Sequence, residues 1–487
     1  MLIRLGMDDM LVVLRDTSSL ILWSSATFLA PIIISLFYME PFLTMASYAA
    51  VAVFAFFLGF VGKMLFRTET ETTRKHSFLT VAIVWLVYTG LAALPFVLVH
   101  NMGLLDAFFE SMSAITTTGL TMMAPTLDSA AKSLIFWRSV ISWTGGIGIV
   151  VLALSGVLTT YTKSSKLIVA EGREENIRPN IKNTMREIWS IYALMTVLGV
   201  LLLYASGMNL FDSINYSMSA ISTTGMDTEP GLLTDLHNYW IDFSLIIIMI
   251  LGATSFSVHY LLIKKRDLNT LFLDMEFRAL VIISALATIT IMPKLILFYG
   301  SNLVGMEYAF FHVVSSFTCG GFALTSPHLV SQWSDFVKII LVLLMFVGGS
   351  SGSTAGGIKI SRFLLFVKSV FWKIKASVLP ADTYFQRKFE GRDVMNSELR
   401  EVSQFIILYV IFILAGVLIL TGLGNDLGNA VFEVVSAQSN VGVSAGITSP
   451  DMPAVAKAML ILNMWIGRLE IVPILSAIGF ALSVRRR

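Results

Sequence analysis

The sequence is poor in charge. Asp, Glu, Lys and Arg make up only 14% of its 487 residues, against about 25% in an ordinary soluble domain. With 56% hydrophobic residues and a mean hydropathy of +0.78, this is not the composition of a soluble globular fold. The apolar runs are continuous and long enough to cross roughly 30 Å of hydrocarbon, which predicts a bundle of helices rather than a barrel. There is one cysteine, Cys319, so an intrachain disulfide is excluded. A net charge of +2 provides no overall field for nucleic acid. No His/Cys cluster with metal-ligand spacing, no nucleophile–base pair and no Gly-x4-Gly-Lys-Ser/Thr phosphate loop is found, so no enzyme is expected. The first apolar run, 17–39, contains no charge. It is too long for a signal-peptide core and lacks a small-x-small cleavage site, which predicts a retained helix.

Basic residues are missing in a pattern. The stretches 99–131, 205–238, 295–337 and 422–456 contain no Lys or Arg. The intervening parts carry Lys63, Arg67, Arg74 and Lys75, then Lys163, Lys166, Arg173, Arg178, Lys182 and Arg186, then Lys264, Lys265 and Arg266. Nine more lie between Lys359 and Arg400, and the sequence ends Arg485-Arg486-Arg487. The positive-inside bias then predicts four outward-facing stretches and two cytoplasmic termini.

Each basic-free stretch holds a copy of one pattern, with Ser six residues before a Gly. The copies are Ser113-Ala-Ile-Thr116-Thr117-Thr118-Gly119, Ser219-Ala-Ile-Ser222-Thr223-Thr224-Gly225, Ser315-Ser-Phe-Thr318-Cys319-Gly320-Gly321 and Ser436-Ala-Gln-Ser439-Asn440-Val441-Gly442. A second glycine follows 25 to 27 residues later, at Gly145, Gly252, Gly348 and Gly467. Two landmarks that keep register through four divergent copies indicate internal duplication. The expected fold is an all-α integral membrane protein with four parallel repeats around one central pore. Each repeat is a long helix, a short helix with its polar loop, and a second long helix. Long first helices are expected near 77–99, 186–207, 276–299 and 402–422, and short ones near 105–115, 210–221, 305–317 and 427–438. Long second helices are expected near 133–160, 238–265, 335–373 and 454–484. Roughly 11 residues at 1.5 Å rise cannot span a bilayer, so the short helices enter and return. A helix pair over 1–72 precedes repeats over 73–165, 166–268, 269–375 and 376–487. A shared orientation argues against a carrier built from inverted halves.

The polar loops suit a small cation. Carbonyl oxygens of an extended loop can replace its water, glycine allows the unusual dihedrals this needs, and Ser or Thr adds hydroxyls. The C-terminal ends of the short helices would aim partial negative charge at the same place. Glu110, Tyr216, His312 and Glu433 stand nine residues before each loop glycine. They could line an outer mouth, or serve as packing and hydrogen-bond groups of the short helices.

Two further features stand out. Gly348-Gly349-Ser350-Ser351-Gly352-Ser353-Thr354-Ala355-Gly356-Gly357-Ile-Lys359 interrupts the third second helix. Each glycine costs about 1 kcal/mol against alanine in a helix interior, so a break is expected there, either as a gating loop in the ion path or as a passive hinge. Arg468 lies in the last long helix, where a cation costs roughly 2.5–3.5 kcal/mol. It faces either a wet pore or a structural partner such as Glu470.

These loops and motifs resemble those of the TrkH/KtrB/HKT superfamily of potassium transporters, from about residue 77 onward. The extra N-terminal pair is similar to the TrkH branch. The resemblance implies a selectivity filter at Thr116–Gly119, Ser222–Gly225, Thr318–Gly321 and Ser439–Gly442. It implies potassium as the permeant ion and no organic cofactor. It implies a gate formed by residues 348–357 together with Arg468. It also implies a multi-pass protein of the plasma (inner) membrane, a homodimer, and cytosolic nucleotide-binding regulatory subunits of the TrkA/KtrA type, for which the basic segment 359–400 is a plausible dock. A glycine in all four loops is associated with potassium over sodium in that superfamily. The departures are Cys319 where neighbouring copies have Thr, and Asn440-Val441 in place of Thr-Thr. Other readings of the residues are a potassium/proton or potassium/sodium symporter, a sodium-permeable relative, or a non-conducting sensor.

Overall fold

The computed structural model describes residues 7–148, 181–236, 238–380 and 386–469. Among these, six helices are long and apolar enough to cross a membrane. The chain opens with α1 (Met7–Ser24), a 3-10 turn (Ser25–Leu29), α2 (Ala30–Phe37) and α3 (Phe42–Leu65). Arg15 fastens this entry by donating to the Thr68 and Thr70 carbonyls and pairing with Asp16.

A succession of long, short and long helix then recurs. The long first helices are α4 (Arg74–His100), α7 (Ile181–Ala205), α11 (Met275–Tyr299) and α15 (Asn396–Gly422). The short ones are α5 (Leu104–Ile115), α8 (Leu210–Ile221), α12 (Asn302–Phe317) and α16 (Leu427–Gln438). Three have 12 residues, about 18 Å. The third has 16 and starts three residues earlier than its sequence predicts. The termini carry ordinary stop and start signals. Asp274 accepts the Phe277 amide at the start of α11, and left-handed Asn101 and Gly300 close α4 and α11.

The second helices differ from expectation. α6 (Lys132–Ile147) is described only to residue 148, so the expected stretch to 160 lies outside the described residues. The second such helix is not continuous over 238–265. It breaks into α9 (Tyr239–Ala253) and α10 (Phe256–Lys265), bent by 101°. The third is interrupted as the glycines require, into α13 (Asp335–Val347) and α14 (Ile360–Val378). The fourth, α17 (Ala454–Arg468), is described to Leu469, and Glu470 lies outside the described residues. A two-residue hairpin, β1 (Lys388–Phe389) with β2 (Arg392–Asp393), sits between α14 and α15. The core is apolar and runs through all these helices, with Trp85, Trp137, Tyr192 and Phe311 among its fully buried side chains.

Candidate functional site

The four sequence-predicted loops follow α5, α8, α12 and α16, and they adopt one backbone conformation. The residue two before the glycine is left-handed in each: Thr117 at φ +56°, Thr223 at +57°, Cys319 at +57° and Asn440 at +53°. The next amide turns back to the carbonyl of the pattern's first serine, as Thr118 to Ser113, Thr224 to Ser219, Gly320 to Ser315 and Val441 to Ser436, at 2.7–2.9 Å. The glycines themselves have φ of +94°, +77°, +78° and +99°. A β-branched threonine in left-handed backbone is an outlier that costs about 1–3 kcal/mol, and it occurs here twice. Thr, Cys and Asn share the conformation, so the recurring feature is the main chain.

The loops meet in cyclic order. A methyl placed on Gly119 would stand 1.9 Å from the Thr224 carbonyl oxygen. On Gly225 it would stand 2.7 Å from the Gly320 oxygen, on Gly321 2.2 Å from Val441, and on Gly442 2.1 Å from Thr118. Each glycine is thus pressed against the carbonyl that precedes the glycine of the next loop, and the fourth closes on the first. Any side chain at these positions would displace a neighbouring carbonyl. Most of the hydroxyls are occupied within the protein, Thr117 Oγ1 being buried without a hydrogen-bond partner. Thr116 bonds Thr118 and Ser222 bonds Thr224, both at 2.8 Å; Thr318 donates to the Val314 carbonyl; Ser439 meets the Tyr409 hydroxyl at 2.9 Å. Asn440 Nδ2 donates across to Thr118 Oγ1 at 2.9 Å and to the Met464 carbonyl at 3.0 Å. The Cys319 thiol is free and buried.

The second glycines are close-approach positions. A methyl on Gly145 would be 1.9 Å from the Ile115 oxygen, on Gly252 2.7 Å from Ile221, and on Gly467 1.7 Å from Gln438. Three second helices therefore lie directly on the end of their own short helix. Gly348 instead turns the chain at φ +74° into residues 348–359. This segment uses the carbonyls that the break after α9 sets free. Ser350 donates to Ala253 at 2.9 Å and Thr354 to Gly252 at 3.2 Å, while the Phe256 amide donates to Gly352. Thr354 Oγ1 donates to Ile221 and Gly252 at 2.8 and 2.9 Å. Gly356 lies where a methyl would be 2.1 Å from the Ser439 carbonyl. Glu276, at the start of α11, accepts the amides of Ser351 (3.1 Å) and Ser361 (2.9 Å), so one carboxylate holds both ends of the segment.

Arg468 reaches this segment. It donates to the Thr354 carbonyl at 2.9 Å, to Gly145 at 2.6 Å and to Gly146 at 3.2 Å, with its guanidinium 5.9 Å from the Trp85 ring centre. Backbone carbonyls, rather than a carboxylate, take up its charge in these contacts. The structure thus gathers all four loops, residues 348–357 and Arg468 into one region. Sequence reasoning did not single out Glu276, whose only signal is an acid in the first turn of an apolar helix. Among the described residues, no group of three or more His, Cys, Asp or Glu could hold a metal ion.

Residues 46–482 match the TrkH family, described as cation transport protein. The chain is 34% identical over 455 residues to the cation transporter MJ1485 of Methanocaldococcus jannaschii, covering 92% of this chain and 90% of that one. It is 31% identical over 478 residues to the Trk system potassium uptake protein TrkH of Escherichia coli strain K12, covering 95% and 96%. The crystal structure of the potassium transporter TrkH from Vibrio parahaemolyticus superposes with a TM-score of 0.84 at 27% identity, covering 96% of this chain and 98% of that one.

Proposed function

Because the chain belongs to the TrkH family of cation transport proteins, we propose that it takes up potassium through a channel-like pore whose selectivity filter is the four-loop ring. The family consists of transporters, not enzymes, and the chain is a multi-pass membrane protein. In this reading the four helix successions are repeats around one axis. The observation that carries it is the cyclic abutment of each loop glycine on the next loop's carbonyl. Carbonyls held in that order can take over a cation's hydration shell. The short helices end at the same place, where their partial negative charge favours a cation. The hydroxyls of Thr116, Thr118, Ser222 and Thr224 are engaged with one another, which supports coordination by main-chain oxygens. It also accounts for the tolerance of Cys319 and Asn440-Val441.

Residues 348–357 and Arg468 form the gate in this reading, and their mutual bonds support a shut state. Arg468 places a positive charge beside the path while the loop fills it. The basic-free stretches face outward and both termini face the cytoplasm, by the positive-inside bias. The inside-negative potential then drives uptake with about 2.3 kcal/mol per 100 mV per charge. A homodimer and cytosolic nucleotide-binding subunits docked near 359–400 complete the assembly. The test is purified protein in liposomes, with a potassium gradient and no gradient of protons or sodium. Potassium flux that follows the imposed voltage and exceeds sodium flux is expected. A requirement for a proton or sodium gradient would replace the channel by a symporter.

A further inference from the structure

Glu110, Tyr216, His312 and Glu433, one on each short helix, are all fully buried. Three of them reach past their own loops to the backbone three residues beyond the glycine. Glu110 accepts the Met122 amide at 2.7 Å and Glu433 the Ala445 amide at 2.8 Å. His312 Nε2 accepts the Leu324 amide at 3.3 Å. The Tyr216 hydroxyl instead donates to the Asp227 carboxylate at 3.2 Å, two residues beyond its loop glycine. Two unlike chemistries, carboxylate and imidazole, therefore meet one geometric demand at three of the four equivalent positions, and a phenol ties down the remaining loop through a side chain beside it. His312 shows how narrow the demand is. Its Nδ1 faces the Tyr308 carbonyl at 2.8 Å and so carries the proton, which leaves Nε2 as the acceptor.

The segments beyond the glycines have no helix or sheet to satisfy their amides, and a buried amide without a partner is costly. Glu110, His312 and Glu433 supply such partners. Glu110 also accepts from Thr121 Oγ1 and Arg138 Nε, both at 2.9 Å. Glu433 accepts from Ser444 Oγ at 2.8 Å and the Thr448 amide at 3.1 Å. Tyr216 donates to Asp227 at 3.2 Å and stacks on Phe322 with ring centres 5.4 Å apart.

We infer that these four side chains are positioning residues, struts that fix the outer half of each loop against its short helix and thereby set the discrimination between potassium and sodium. This rests on the filter reading above. Where an ion is chosen by cavity size, the choice requires that the carbonyls not follow a smaller ion inward. A strut anchored behind the loop resists that movement.

The test uses Tyr216→Phe, which keeps the stacked ring and loses only the hydroxyl, and Glu433→Gln, which keeps shape and one acceptor. Gly119→Ser serves as the filter control. Potassium and sodium fluxes are measured in liposomes beside a thermal-unfolding scan of each protein. One buried hydrogen bond corresponds to roughly a three- to tenfold change. The expected result is a potassium-to-sodium ratio lowered by about that factor in both strut variants, through rising sodium flux, with unfolding temperatures close to wild type. An unchanged ratio in both, while Gly119→Ser loses its preference, overturns the struts and leaves the filter standing. Wild type and Gly119→Ser that are equally unselective overturn the filter reading, and the struts with it.

Discussion

At the scale of single residues, the loops separate what side chains do from what the main chain does. Thr117, Thr223, Cys319 and Asn440 have nothing in common except a left-handed backbone. Asparagine adopts it readily and threonine does not, so the threonines persist there only because their surroundings dictate it. The sequence shows the glycines plainly, but it does not reveal that residues of three chemical types share one dihedral. Arg468 is the converse case, a side chain whose charge is the point. It was legible as an isolated cation in an apolar helix, whereas its acceptors, the carbonyls of Gly145, Gly146 and Thr354, lie more than a hundred residues away in sequence. Replacing Arg468 by alanine removes a like charge from the proposed path. Potassium flux in liposomes should rise on the order of tenfold, equivalent to about 1.4 kcal/mol of barrier. Glutamine, which can still donate to one carbonyl, should fall between. A folded alanine variant with unaltered flux would assign Arg468 to packing alone.

At the scale of elements, the informative pair is the segment 348–359 and the broken helix α9–α10. The first break was legible because closely spaced glycines forfeit helix stability. The second was not. Residues 252–255, Gly-Ala-Thr-Ser, contain one glycine and no proline, and the stretch 245–251 before them is wholly apolar. The break is sustained from outside, by the Ser350 and Thr354 amides that occupy the Ala253 and Gly252 carbonyls. Two interruptions distant in sequence satisfy each other's backbone, as they must at bilayer depth. Glu276 closes the arrangement. Glu276→Ala would strand two amides, each worth about 1–3 kcal/mol when buried without a partner. Faster hydrogen exchange at Ser351 and Ser361 is expected, together with higher potassium flux. Protection equal to wild type would show that the segment is held without this carboxylate.

At the scale of the whole molecule, polar links follow the same circuit as the glycines. Arg138 on α6 donates to the Asp227 carbonyl beyond α8 at 2.9 Å, Lys338 on α13 reaches Asn429 on α16 at 3.0 Å, and Lys457 on α17 pairs with Asp106 on α5. The last link joins the fourth succession of helices to the first. The recurrence of the patterns was readable from their spacing, and an arrangement around one centre was expected from it, but the closing link was not legible, because Asp106 and Lys457 are ordinary residues until folding brings them together. Lys457→Met should leave Asp106 unpaired and cost about 1–2 kcal/mol, allowing for its partial exposure. A lower unfolding temperature in detergent checks this, and an unaltered one would mean that close glycine packing suffices to shut the circle.

One polypeptide supplies all sides of this circle, and that frees the sides to differ. The interrupting segment belongs to one of them and the arginine to another. An assembly of four identical subunits would have to carry every obstruction in fourfold, crowding copies of itself on the axis. On the gate proposed above, a single bolt slides into a single socket, and inheritance can alter either without touching the other three walls.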